Sequence, residues 1–298
     1  MSTFNDLINE VSLNLAGYTM RQDRSTHISD TALDSSATDI VIASGENIAK
    51  GLVEIGDELV WVDSFDRTNN TLVVAPYGRG FQGTTAVSHP VGERVTIAPT
   101  FPRAAIKRAI NDTILAVYPD LFSVGYTSFT YVPAQNTYAL PSDAETVLAV
   151  SYEAIGASKE WVPVRDWRTD IVADLASFNS SSTLSIYSWV DPGRTVKIAY
   201  ARSPLTLDLA DDDFSLTTGF MESVKDVIVL GASYRLLSFI DPGRLTFSSP
   251  EADTQTGRIA FGSGTNTAKY VYALYTQRLQ DEVRKLKKRY PVRVHFTR

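Results

Sequence analysis

The turn Gly56-Asp57, set between Leu52-Val53-Glu54-Ile55 and Glu58-Leu59-Val60-Trp61-Val62, commits this stretch of chain to a β-hairpin. Gly-Asp in a two-residue connection predicts positive φ at both central positions, and the flanking runs are rich in β-branched and apolar residues. A lone hairpin is marginal in water, so partner strands are required. Asp39-Ile40-Val41-Ile42, Thr71-Leu72-Val73-Val74 after the Asn69-Asn70 turn, and Glu93-Arg94-Val95-Thr96-Ile97 after Gly92 supply them. Residues 37–99 therefore read as a small, mostly antiparallel β module.

Helical spacing brackets this module. Phe4, Leu7, Ile8, Val11 and Leu15 mark one face of a short helix, with Thr3 and Asp6 as a capping box and Gly17 at its end. A polar connector runs from there to about Ser36. Ile106, Ala109, Ile110, Ile114 and Val117 line a second helix over 101–118, opened by Pro102 and stopped by Pro119. A second β module is expected over 127–205, with strands at 137–140, 146–152, 182–189 and 195–200 and a short helix near Asp166 to Ala176. Gly219 to Phe239 reads as a long helix, apolar around much of its circumference, and 241–266 as a flexible connector. The expected fold is α+β: a helical hub (residues 1–36 and 100–126, the helix within 206–240, and the C-terminal helix 267–290) carrying two small antiparallel β modules.

Charge separates sharply along the chain. From Lys269 onward there are nine Lys/Arg against Asp281 and Glu282, a balance of +7; the whole chain is −6, so the residues before Lys269 carry −13. The basic segment is an amphipathic helix, with Val271, Leu274, Tyr275, Leu279, Val283, Leu286 and Tyr290 at helical spacing, followed by a tail in which Val292, Val294 and Phe296 alternate with Arg293, His295 and Thr297. Such a tail suits strand addition to an exposed sheet edge. Arg284, Lys285, Lys288, Arg289, Tyr290, Val292, Arg293, Val294, His295, Phe296 and Arg298 are the candidate partner-docking residues. The same cations invite a nucleic-acid reading, with a log–log salt slope near about −6 if six or seven met phosphates. An acidic body and the absence of a groove-reading motif argue against it.

Catalytic chemistries find little support. With no cysteine, zinc-thiolate sites, disulfides and Cys nucleophiles are excluded. Gly78-Arg79-Gly80-Phe81-Gln82-Gly83 matches the dinucleotide fingerprint, but Pro90-Val91-Gly92 follows where a pyrophosphate-binding helix is required. His27, His89 and His295 lack metal-ligand spacing and read as surface or turn histidines; Asp211-Asp212-Asp213 reads as a solvated turn. A hydrolase with a triad assembled in space remains an alternative, without a nucleophile-elbow motif to support it. No enzyme activity, cofactor or metal is expected. The N-terminus shows no secretory signal pattern, and no run of about 18 apolar residues suits a membrane span.

Two stretches carry a resemblance. Ile55-Gly56-Asp57-Glu58 with its hairpin, followed by Arg79-Gly80-Phe81-Gln82-Gly83-Thr84-Thr85-Ala86-Val87-Ser88-His89-Pro90-Val91-Gly92, is similar to a pattern in structural proteins of tailed bacteriophages. Phe101-Pro102-Arg103 through Tyr118-Pro119-Asp120-Leu121-Phe122 resembles a helix of phage head-to-tail connector (adaptor) proteins. In the loop, Gly78, Arg79, Gly80, Gly83, Thr84, His89 and Gly92 are the motif positions. The resemblance implies a virion protein of the neck, made in the host cytoplasm and forming a ring of about twelve copies below the portal protein. It implies a next neck or tail component (stopper, terminator or tail tube) as second partner, DNA passing through the lumen without specific binding, and no membrane. A tail terminator or tail-tube component is the alternative within the same class.

Overall fold

In the computed structural model the Gly56-Asp57 turn closes a hairpin between β3 (Gly51–Ile55) and β4 (Glu58–Asp66), paired from Gly51↔Val62 to Ile55↔Glu58. Of the two turn residues only Gly56 has positive φ, at 57°, the φ pattern of a II′ turn; Asp57 does not need it. The described residues are 2–17, 23–29, 31–45, 48, 50–156, 160–174, 177–178, 180–238 and 263–291.

Four further strands extend this hairpin: β1 (Arg24–His27), β2 (Asp39–Val41), β5 (Thr71–Val74) and β6 (Arg94–Ile97), giving the order β1-β6-β3-β4-β5-β2. The sheet curls until its two edges meet. Ile28 and Ile42 form a bridge, and Ser29 N–H and Ala43 N–H donate across the seam at 3.1 and 3.0 Å. Partial closure removes the edges that would otherwise template aggregation. Ile28, Ile40, Ile42, Val53, Ile55, Val60, Val62, Leu72 and Val95 fill the interior of this half-barrel.

The barrel belongs to one of two compact units, formed by the described parts of Asn5–Thr113 and Val227–Tyr275. Its helical portion draws on α1 (Phe4–Ala16), α2 (Arg103–Ala116), α4 (Lys225–Ser238) and α5 (Ser263–Arg289). Leu7, Ile8, Val11, Ile106, Ile110, Ile228, Ala232 and Val271 are buried there. A Cβ at Gly231 would stand 2.3 Å from Thr113 Cγ2 and 3.0 Å from the Tyr275 ring, so α4 approaches both neighbours closely at that position. Tyr234, Tyr272 and Tyr275 stack about the same seam, with ring centroids 5.2–6.1 Å apart.

The other unit combines the described parts of Met1–Phe4, Ile114–Asp226 and Thr276–Arg298. It is a β-sandwich. One sheet has the order β10-β9-β13-β7, from β7 (Ser123–Thr130), β9 (Thr146–Glu153), β10 (Trp161–Pro163) and β13 (Thr195–Arg202). The other has the order β11-β12-β8, from β8 (Thr137–Ala139), β11 (Trp167–Asp170) and β12 (Thr183–Ile186). Tyr138, Leu184 and Ile186 from the smaller sheet share one core with Val147, Val150, Val196 and Ile198 from the larger. On β7, Gly125 leaves room for the Tyr200 ring, which would lie 2.4 Å from any Cβ there.

The expected helical hub with two small modules is not what forms. The described residues hold thirteen strands in three antiparallel sheets, one of them the half-barrel, and five α-helices. Strands β1, β7, β10 and β11 lie outside the strands expected, and the helix at 219–239 is shorter than expected. The polar connector before Ser36 contains β1, whose Arg-Ser-Thr-His sequence carries no apolar alternation; pairing with β6 holds it. The helix expected near Asp166 is β11, held by four register partners on β12. The helix expected to begin at Gly219 begins later, and a separate short helix precedes it. Asp213 caps α3 (Phe214–Thr218) by accepting from the Leu216 N–H, and Gly219, at φ 75°, ends it. The next helix begins only at Lys225, after a single 3-10 turn at Glu222–Val224. The C-terminal helix starts at Ser263, inside the stretch expected as connector; residues 241–262 of that stretch lie outside the described residues.

Candidate functional site

The resemblance-bearing loop is built around Arg79. The turn Ala75-Pro76-Tyr77-Gly78 closes with Gly78 N–H donating to Ala75 O at 2.8 Å, and the Trp61 N–H donates to Gly78 O at 2.8 Å. Gly78 is required by proximity: a Cβ would stand 2.4 Å from Trp61 O and 2.8 Å from Ala75 O. Because both obstacles are backbone, Gly78→Ala is expected to destabilise by about 1–3 kcal/mol, read as a lowered denaturant midpoint at unchanged slope.

From that turn Arg79 enters the protein and spends all five N–H donors. Nε and Nη2 form a fork on Glu58 at 2.7 and 2.9 Å, Nη1 donates to Asp34 O at 2.7 Å and Ala37 O at 3.0 Å, and Nη2 donates to Val87 O at 2.7 Å. Glu58, whose side chain has no exposed surface, also accepts from Gly80 N–H at 2.9 Å, Val87 N–H at 3.1 Å and His89 Nε2 at 2.9 Å. His89 is buried and reaches Glu93 through Nδ1 at 2.9 Å. Burial pushes the Glu58 carboxyl up, but the bonds from Arg79, Gly80, His89 and Val87 outweigh it and hold it at about 2.

This accounts for the motif positions. Gly80, at φ 60°, turns the chain so that its N–H faces Glu58, and Thr84 Oγ1 accepts from the Leu59 N–H at 3.0 Å. Gly83 and Gly92 also take positive φ, at 80° and 85°. The dinucleotide-like run contains a 3-10 turn, Phe81–Gly83, interrupted by Gln82 at φ 54°, and then extends at Thr84; no helix N-terminus follows. His89 is not the surface or turn histidine expected. Its imidazole completes the core of the loop.

Beside this network lies a groove of about 1070 Å³ on the barrel unit, walled by α1, α2 and the loop. Several of its charges are paired with one another. Asp57 takes Arg103 at 2.9 Å and Lys107 at 2.6 Å, the Arg103 N–H donates to Glu54 at 2.5 Å, and Arg108 donates to Gln82 O. Burial raises the Glu54 carboxyl, while for Asp57 burial is overcome by Lys107 and Arg103, which lower it. Among the described residues no group of His, Asp and Glu is arranged to hold a metal ion. In Asp211-Asp212-Asp213, Asp212 accepts from the Asp208 and Leu209 N–H groups at 2.8 Å and Asp213 caps α3.

The candidate docking residues divide. Arg284 and Lys288 are exposed, the former 3.5 Å from Asp281. Lys285 pairs at 2.6 Å with Glu282, which is buried and also accepts from Ser223 at 2.9 Å. Arg289 rests on Met221 Sδ at 3.6 Å, and the Tyr290 and Tyr126 hydroxyls lie 3.0 Å apart, joining the end of α5 to β7. Burial, then the Tyr126 hydroxyl, raises the Tyr290 phenol. Val292, Arg293, Val294, His295, Phe296 and Arg298 lie outside the described residues.

Three features were missed from sequence. The sequence pattern alone does not show Glu58 and Glu93 as partners of the loop, although Glu58 stands in its Ile-x-x-Glu run. Tyr77, fully exposed at φ 60°, has only its Pro-Tyr-Gly context as a signal. A pocket bounded by Phe220, Met221 and Leu286 had no signal, since it depends on residues more than 60 positions apart. Compared with protein families and with curated proteins, the chain matches none.

Proposed function

We propose that this chain is a structural subunit of a tailed-phage neck, a ring-forming adaptor between the portal and the next neck or tail component. The observation that carries this reading is the Arg79 loop. Its charged side chains are consumed in holding a rigid turn with an exposed aromatic tip, rather than presented to a substrate. A preorganised turn with an aromatic at its apex suits assembly better than catalysis.

Charge supports the same reading. A body at −13 suits a channel that DNA must pass without being gripped, while the +7 segment suits an acidic protein partner. The helix α5, 27 residues and about 40 Å long, carries seven of the nine cations against Asp281 and Glu282.

Truncation after Tyr290 tests the reading. The shortened chain is expected to fold with an unchanged melting transition yet fail to attach to portal-bearing heads. If truncation instead abolishes a salt-sensitive DNA affinity while particles assemble normally, the adaptor reading is wrong and the nucleic-acid one is correct.

A further inference from the structure

We infer that the outer face of the larger sandwich sheet is a binding site for single-stranded nucleic acid, with Tyr126 and Trp161 stacking on bases and Lys197 and Arg289 meeting phosphates. The site goes beyond the neck reading and rests on no part of it.

Strand alternation makes the face. In β13, Val196 and Ile198 belong to the sandwich core, so Lys197 between them points away from it. Tyr126 on β7 pairs with Ala199, two positions from Lys197 and on its side of the sheet. Trp161 on β10 joins them, because its neighbour Val162 pairs with the core-packed Tyr152. The register partners of Lys197 are Ser128 and Ser151, so the cation and the two rings rise above small neighbours. Tyr126 is 54% exposed and Trp161 44%, and Lys197 and Arg289 are exposed as well.

These side chains form one continuous stripe within the sandwich unit. The Arg289 guanidinium lies 5.7 Å from the Tyr290 ring centroid, and the Tyr290 and Tyr126 hydroxyls are 3.0 Å apart. Lys197 Nζ then stands 4.8 Å from the Tyr126 centroid and 5.8 Å from that of Trp161. Cations and rings therefore alternate from the end of α5 across to β10. Among the described residues neither Lys197 nor Arg289 is in an ion pair, so both charges are left for an outside anion.

That composition selects the ligand. Cations without internal partners call for an anion, which a neutral sugar does not supply. An acidic peptide brings charge but no flat face beside each charge. A single-stranded nucleic acid carries one phosphate and one flat base per residue, the mixture that the stripe matches. In a duplex the bases are stacked inside, so it reaches the cations but not the rings. The acidic body opposes polyanions in general, yet the stripe starts in the last turn of α5, where Lys287 and Lys288 are exposed. Glu153, the register partner of Trp161, stands at the opposite end, so phosphates are drawn towards Arg289.

The test titrates the full chain into a fluorescein-labelled oligothymidylate of about twelve nucleotides, followed by fluorescence anisotropy, beside a duplex of equal length and a polyglutamate peptide. The single strand is expected to bind about tenfold or more tighter than either control. Trp161→Ala and Tyr126→Ala are each expected to weaken it about tenfold, while Trp161→Phe and Tyr126→Phe, which keep a ring, retain most of the affinity. Lys197→Gln and Arg289→Gln are each expected to reduce the slope of log affinity against log salt by about 0.7. Absence of binding, equal affinity for duplex or peptide, or wild-type affinity in both alanine variants overturns the inference. Truncation after Tyr290 keeps the whole stripe and is expected to keep the oligothymidylate affinity; its loss assigns the affinity to the residues beyond and overturns the inference as well. Oligothymidylate binding by a chain that has no place in particles removes the neck reading alone, and necks built by a chain that binds no oligothymidylate remove this site alone.

Discussion

Replacing Arg79 with alanine is expected to lower the unfolding free energy of the barrel unit by about 3–5 kcal/mol, the range for breaking a buried ion pair from one side. The magnitude follows from what is left behind. Glu58 has no exposed surface and would lose two of its five hydrogen bonds, while Asp34 O, Ala37 O and Val87 O would lose the guanidinium as well. Lysine keeps the charge but not the planar fork, so Arg79→Lys is expected to recover only part of the loss. Chemical denaturation of the three proteins measures the order. Equal stability of wild type and Arg79→Ala would mean that the loop is held by its backbone alone.

Acid is expected to undo the same network. The Glu58 carboxyl is held at about 2, below its ordinary value of 4.5, because four donors favour the ionised form over the opposing effect of burial. The folded state therefore binds the proton less readily than the unfolded chain. Its contribution, about 3 kcal/mol on a shift of this size, is fully present above pH 4.5 and lost as the pH falls towards 2. Glu58→Gln removes the titrating group, so the stability difference between wild type and variant is expected to narrow over that window. A difference independent of pH would show that Glu58 is not the group responsible.

Both results concern a part of the fold that was half legible in the sequence. The hairpin at Gly51–Val62 could be read because β-branched residues flank a glycine whose positive φ the turn needs. β1 and β11, Arg-Ser-Thr-His and Trp-Arg-Thr-Asp, could not, because hydrogen bonding to β6 and β12 defines them rather than any apolar pattern. At Gly219 the sequence pattern of a helix start hides a helix stop. The residue follows α3, and a Cβ there would stand 1.9 Å from Ser123 Oγ, a contact 96 positions away that periodicity does not report.

The site shows the same division. Arg79, Gly80 and His89 stood out by resemblance, but their purpose depends on Glu58, 21 residues before Arg79, and on Glu93. A pattern of residues gave no sign that the loop's charges are spent internally. Nor could the amphipathic C-terminal helix announce that Glu282, Arg289 and Tyr290 meet Ser223, Met221 and Tyr126 of the chain's own body. The docking role proposed for this segment therefore falls on its exposed cations and on the residues beyond Pro291.

The central claim, a proposed place in a phage neck between head and tail, is tested most directly by examining particles assembled without this protein. The account predicts DNA-filled heads without tails, or heads that have lost their DNA, accumulating beside free tails in electron micrographs. Normal tailed particles in its absence would contradict it.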